Sequence, residues 1–200
     1  MTYNSEQKTN TETAMGILWQ ITSPELPPVK CRQFLTTDFD TVWRAQAMPF
    51  IAGDVWSLFL TGNFGTGKSC FASAMFYWRM AHFVDPGATS CVLRGMWRDC
   101  DTLFTRTMKN FDHWNAISDQ MQRTEFLVLD DLGSTRITPY VHDCLMEILM
   151  ARHRNSKKTI LTTNMTLPEL AEQLDGRIES RLKEGVIIET GSTDLRERKA

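Results

Sequence analysis

The chain has 200 residues, 42 % of them hydrophobic and 23 % charged, with a formal net charge of −2 at pH 7. This is enough chain for one globular domain with its own core and no staples, and the near-neutral balance excludes a global electrostatic attraction to nucleic acid or membrane, leaving only local patches to supply one. The five cysteines are odd in number and include no C-x-x-C pair, the four histidines make no ligand pattern with them, and no apolar run spans a bilayer; structural zinc, a disulfide framework and a membrane span are not expected, and a reducing, cytoplasmic setting is.

Residues 1–33 read as a leader. Polar side chains dominate to Thr13, a short apolar patch follows at Met15-Gly16-Ile17-Leu18-Trp19, and Pro24, Pro27 and Pro28 interrupt any regular element. The segment is either flexible or a docking peptide for a partner protein, with Ile17, Leu18 and Trp19 as anchors. Residues 34–200 read as a single α/β domain. A helix is predicted over Thr37–Met48, capped by Thr37 and stopped by Pro49. It would lean over a bound base or pack on the sheet.

Val55–Leu60 is an apolar run of strand length, and the segment from Cys70 to Met80 holds no Gly or Pro and reads as helix. Between them stands Gly62-Asn63-Phe64-Gly65-Thr66-Gly67-Lys68-Ser69, which fits the phosphate-binding pattern G-x-x-x-x-G-K-[ST]. Strand, glycine loop and helix are the arrangement phosphate binding requires. Glycines allow backbone conformations that a Cβ blocks, so successive N–H groups can face phosphate oxygens, and the helix N-terminus adds partial positive charge. Lys68 would reach the β- and γ-phosphates, Ser69 would ligate Mg²⁺, and Cys70 completes the nucleotide-contacting stretch from Gly62 onward.

Four more short apolar runs follow, at Ser90–Leu93, Phe126–Leu129, Thr159–Thr162 and Val186–Ile188. Strands without polar alternation, separated by helical stretches, predict a parallel sheet buried on both faces. Phe126–Leu129 ends in Asp130-Asp131. At the carboxyl end of a parallel strand, Asp130 would sit beside Ser69 and hold Mg²⁺, while Asp131 would orient or deprotonate the attacking water. The next helix is predicted from Pro139 to about Arg154, capped by Thr138 and buried through Val141, Leu145, Ile148 and Leu149. Thr162-Thr163-Asn164 closes the following strand. Asn164 there is either a sensor of the γ-phosphate or lytic water, or an Asx cap. Thr166…Glu169 is a capping box, and Gly176 is expected to end the helix it opens. Arg177 and Arg181, four apart, share one face of a short helix. Their spacing alone fits a solvated basic face as well as a catalytic arginine.

Taken in order, Gly62–Ser69, Leu129-Asp130-Asp131-Leu132-Gly133, Thr162-Thr163-Asn164 and Gly176-Arg177-Ile178-Glu179-Ser180-Arg181-Leu182 make residues 34–198 resemble the DnaC/IstB-like branch of AAA+ ATPases. That branch contains bacterial and phage helicase loaders and the ATPase helpers of some transposases. The resemblance implies a P-loop NTPase fold with a five-stranded parallel sheet flanked by helices, ATP and Mg²⁺ as cofactors, and ATP hydrolysis stimulated by assembly or DNA. It maps the arginine finger to Arg181, which would act across a boundary between copies, with Arg177 auxiliary. It names a replicative DNA helicase and single-stranded DNA as partners, or a transposase in the alternative. Two departures matter. The second acid is Asp131, one methylene shorter than the Glu many relatives carry, so slow hydrolysis is expected, and with the chain ending soon after the fifth strand a separate helical lid is not expected.

Two basic clusters are candidates for nucleic acid. Arg94, Arg98, Arg106 and Lys109 lie among Phe104, Phe111 and Trp114, and Arg152, Arg154, Lys157 and Lys158 gather at a helix end. Outside the family, a small-molecule kinase shares the strand–loop–helix start but leaves Asn164 and Arg181 without a role. A non-hydrolysing, nucleotide-dependent scaffold is the remaining alternative.

Overall fold

A computed structural model describes residues 26–32, 39, 41–81, 95–105, 111–134 and 136–193. Five strands form one sheet: β1 (Ser57–Thr61), β2 (Gly95–Asp99), β3 (Phe126–Leu132), β4 (Lys158–Thr163) and β5 (Val186–Glu189). Their order is β2-β3-β4-β1-β5 and every pairing is parallel, with Leu58 opposite both Ile160 and Val186 at the centre.

The strands carry apolar residues at successive positions because both faces of the sheet are covered. Side chains alternate across a strand, and the packing follows that period. Phe59, Leu127, Leu129 and Leu161 join one core cluster with Leu145, Ile148, Leu149, Leu170 and Ile178. Leu58, Leu60, Phe126, Val128 and Ile160 join the other with Phe71, Met75 and Phe76. Each such side chain taken fully from water contributes about 1.5–3 kcal/mol, so the central strands carry much of the fold's stability.

The helices are α1 (Thr41–Gln46), α2 (Met48–Ala52), α3 (Lys68–Ala81), α4 (Cys100–Thr105), α5 (Phe111–Arg123), α6 (Pro139–Arg154), α7 (Leu167–Gln173) and α8 (Gly176–Leu182). Helix α6 has the predicted bounds and cap, with the Thr138 side chain accepting from Val141 N–H and the expected stripe buried. The capping box of Thr166 and Glu169 is fully formed.

Two expectations need correction. Of the stretch read as one helix over Thr37–Met48, Thr37 lies outside the described residues, α1 ends at Gln46 and α2 begins at Met48, and Pro49 sits in the first turn of α2, where a missing N–H costs nothing. Phe39 and Trp43 pack on Phe71 of α3, at ring centroid distances of 5.1 and 5.6 Å, so this region lies against α3. Gly176 does not end α7; it opens α8, behind Asp175, which accepts from Arg177 N–H as the N-cap. The strand expected at Ser90–Leu93 lies outside the described residues, and the strand that pairs with β3 is Gly95–Asp99. Its Met96, Trp97 and Arg98 are buried.

Leu26 and Cys31, in the stretch read as leader, are buried. Cys31 is presented by a 3-10 turn, Val29–Cys31, that packs on α3. No helix among the described residues is long and apolar enough to cross a membrane.

Candidate functional site

Strands β3, β4 and β1 are neighbours, so their carboxyl ends deliver Asp130 and Asp131, Asn164 and the glycine loop to one place. The loop has the backbone its chemistry needs. Gly62, Gly65 and Gly67 have φ of 140°, 76° and 93°, which residues with a Cβ rarely adopt. Gly62 is constrained twice, because a Cβ there would stand 2.5 Å from the Thr190 hydroxyl. The first intrahelical bond of α3 runs from Phe71 N–H to Gly67 C=O at 2.8 Å, so the helix N-terminus, with its excess of donors, opens onto the loop.

Lys68 is buried at the floor of this loop. Its ammonium donates to the carbonyls of Gly62 (2.6 Å) and Asn63 (2.7 Å) and to Asn164 Oδ1 (2.8 Å). The amide of Asn164 donates in turn to Asp131 Oδ1 at 3.4 Å. Lys68, Asn164 and Asp131, from three separate elements, therefore form one connected line.

The two acids are held differently. Asp130 is buried, and its carboxylate accepts from the Thr162 hydroxyl at 2.6 Å and from Ser69. Burial pushes its carboxyl above the ordinary aspartate value, and the bonds from Thr162 and Ser69 draw it partly back. Asp131 is half-buried with φ +59°. Between Leu129 and Leu132 the register of β3 on β4 slips by one residue, because Leu129 faces Leu161 and Leu132 faces Thr163. A bulge of this kind re-aims side chains. Here it lets two consecutive acids serve one site instead of pointing to opposite faces. The bulge is secured by Thr162, whose Oγ1 accepts from Asp131 N–H at 2.8 Å while its hydroxyl donates to Asp130. Asp131 is also raised, first by burial and then by the charge of Asp99, against Lys68 and Asn164.

The arrangement fits a nucleotide with Mg²⁺. The donor set is a hydroxyl beside a carboxylate, Ser69 and Asp130, the hard oxygen ligands that Mg²⁺ takes, next to a lysine and a glycine cradle. Two contributors escaped sequence reading. Thr162 stood inside the Thr-Thr-Asn motif but only Asn164 drew attention; two hydroxyl residues beside paired acids on the next strand were the available signal. Thr190 had no signal, since it reaches the loop only through the sheet order.

Arg181 lies elsewhere. Its carbonyl accepts from Trp56 Nε1–H at 2.9 Å, and Trp56 directly precedes β1, whereas the glycine loop directly follows it. The five residues of β1 set these ends roughly 17 Å apart at about 3.3 Å per residue. The Arg177 guanidinium is paired with Asp175 at 2.8 Å.

Among the described residues, Arg98 and Arg152 are not surface cations of the two basic clusters. Arg98 and Trp114 are buried, Phe104 is partly buried, and Arg94, Arg106, Lys109 and the Phe111 side chain lie outside the described residues. Arg152 is wholly buried. It donates to the carbonyls of Met121, Thr124 and Lys158 and to Thr159 Oγ1. Burial pushes its guanidinium down to about 9. Lys157 pairs with Glu125, and Lys158 donates to the carbonyls of Gly53 and Val55, which leaves Arg154 exposed. Cys70 directs its thiol to Cys31, with the sulfurs 2.9 Å apart.

No model of a known protein family matches the sequence, and no curated relative does. Solved structures do match the fold. DnaI aligns at 24 % identity over 84 % of this chain and 93 % of its own, with a TM-score of 0.66. The DnaC helicase loader aligns at 20 % identity over 83 % of this chain and 100 % of its own, with a TM-score of 0.62. The replication initiator DnaA bound to AMPPCP and single-stranded DNA aligns at 15 % identity over 78 % of this chain and 49 % of its own, with a TM-score of 0.63. The chain shares the fold of these structures, a five-stranded parallel sheet flanked by helices with a glycine loop between β1 and α3, which is the fold expected from the resemblance.

Proposed function

We propose that the chain is an ATP-binding AAA+ protein of helicase-loader type, hydrolysing ATP slowly and assembling on a replicative helicase and single-stranded DNA. The observation that carries this is the convergence of Lys68, Ser69, Asp130, Asp131 and Asn164 at the carboxyl ends of three adjacent strands. The fold shared with DnaI and the DnaC helicase loader supplies the choice of loader over other nucleotide-dependent functions.

Mg²⁺, when bound, neutralises the developing charge of the transferred phosphoryl group. Ser69 and Asp130 are the residues that would hold it. The glycine loop donates backbone N–H groups to phosphate oxygens. Lys68 exchanges loop carbonyls for a phosphate partner. Asp131 accepts a proton from the attacking water, with Asn164 fixing the carboxylate and the water. Asp131 is one methylene shorter than Glu, which favours slow turnover. Because Arg181 is anchored at the far end of β1 from its own glycine loop, its finger role is exercised on the site of a second copy.

Titration of a fluorescent ATP analogue, paired with steady-state ATPase assays with and without single-stranded DNA, tests the reading. Binding lost in Lys68→Ala, with turnover that rises on DNA, is the expected result. Tight binding with no turnover under any condition would leave a scaffold and remove the enzyme; equal binding by wild type and Lys68→Ala would remove the site.

A further inference from the structure

Cys70 follows directly on Ser69, in the first turn of α3, and its sulfur lies against that of Cys31, thirty-nine residues earlier. The sulfurs are 2.9 Å apart, and neither cysteine is in a disulfide. The 3-10 turn presenting Cys31 is well fixed. Cys31 N–H donates to Pro28 C=O at 2.8 Å, Arg32 N–H to Val29 C=O at 3.1 Å, and Arg32 Nε to Pro27 C=O at 2.6 Å. Leu26, just before it, is buried in the core cluster of the α3 face. The two thiols are therefore brought together by the packing of two separate segments. Their exposures differ in a useful way: Cys31 is 1 % exposed, while Cys70 is only partly covered. Cys100 and Cys144 are buried in the cluster on the opposite face of the sheet.

We propose that Cys31 and Cys70 form a modification site at which a hydroperoxide converts two thiols into a reversible disulfide, clamping the N-terminal turn onto the first turn of the phosphate-binding helix. The sulfur of Cys70, the more accessible of the two, attacks the peroxide O–O bond. One oxygen stays as the Cys70 sulfenic acid and the other leaves, with the thiol proton, as water when the oxidant is hydrogen peroxide. The sulfur of Cys31 then attacks the sulfenic sulfur, the S–S bond forms, and the hydroxyl leaves with the Cys31 proton as a second water. Two thiols lose two electrons and the peroxide gains them. A thiol reductant reverses the change. The cross-link closes a loop from residue 31 to residue 70, so it restrains the unfolded chain. It also ties the segment that follows the leader to the residue next to Ser69.

The experiment uses the full chain, reduced and then exposed to hydrogen peroxide at one to ten equivalents. Non-reducing peptide mapping is expected to find a Cys31–Cys70 link within one chain, two of the five thiols lost to a thiol reagent, and both restored by dithiothreitol. The thermal midpoint of the oxidised chain is expected to rise by about 5 °C. In Cys31→Ala the resolving thiol is gone, so dimedone traps a sulfenic acid at Cys70 and oxidation leaves the midpoint unchanged. Thiol loss in the wild type without that link, a link between two copies, or no thiol loss at ten equivalents overturns the proposal. The wild-type map decides the matter even if the variant folds poorly. None of these readouts depends on nucleotide binding, so the outcome is independent of the proposed function.

Discussion

The hydroxyl of Thr190 lies 2.6 Å from the hydroxyl of Thr66, joining the residue that leaves β5 to the middle of the glycine loop. Three further contacts run alongside. Thr190 N–H and its side chain both donate to Thr61 C=O, at 2.8 and 3.0 Å, and Asn63 N–H donates to Gly191 C=O at 3.2 Å. The loop is thus braced from behind by the end of the edge strand. Thr190→Val keeps the shape and removes the hydroxyl. It is expected to weaken nucleotide binding about tenfold, the worth of one hydrogen bond to a pre-organised loop, while Thr190→Ser restores affinity. Titration with a fluorescent nucleotide checks this, and an unaltered affinity in the valine variant would remove Thr190 from the site.

Asp130 and Asp131 give stability a distinctive pH dependence. Their native carboxyls are raised above the unfolded value of 3.8, so the folded chain binds protons more tightly than the unfolded one. The contribution of these two groups to stability is then greatest when both are protonated, and it falls as pH rises from about 4 through the native values. Asp130→Asn removes the larger burial cost and keeps an oxygen to accept from Thr162. Without nucleotide and metal, its thermal midpoint at pH 7.5 is expected to exceed the wild type by at least about 2 °C, the difference shrinking toward pH 4. A variant less stable at pH 7.5 would contradict the assignment of Asp130 as a buried charge.

Arg181 and Lys68 are expected to be interchangeable between copies. Lys68→Ala and Arg181→Ala proteins should each be inactive as ATPases, and mixing them should recover some turnover, because some boundaries then pair an intact loop with an intact arginine. The arginine-finger example sets the scale of loss, about 10³–10⁵ in rate. Full activity of Arg181→Ala alone would end its assignment.

Arg152 and Arg154 separate burial from charge. Arg152→Ala removes a buried donor from three carbonyls and the Thr159 hydroxyl and is expected to destabilise the chain by about 3–5 kcal/mol. Arg154→Ala, at an exposed position, is expected to stay within about 0.5 kcal/mol. Urea denaturation of both variants measures the contrast, and similar losses would refute it.

Much of the site was legible because its residues lie in contiguous motifs at strand ends. The glycine loop, Asp130 and Asn164 could be placed from order alone, as could α6 from Thr138, Pro139 and its apolar stripe. What escaped depends on pairing across the sheet. Nothing local in Phe126–Leu132 announces that Asp131 sits in a bulge; that follows from the partner strand and from Thr162. Arg152 reads as one of four surface cations until α5 and β4 close over it. Trp97 and Arg98 obscured β2, because a buried arginine and the neighbouring Gly95 do not look like strand core.

Strand β5 behaves as a ruler. Only four residues long, it starts just beyond α8, pairs Val186 with Leu58, and ends where Thr190 meets the glycine loop. Adding or deleting one residue would shift that end by about 3.3 Å and turn every following side chain to the opposite face. The chain between Arg181 and Thr190 is therefore constrained in length, and at Gly185 in composition as well, where a Cβ would collide with the Ser57 hydroxyl.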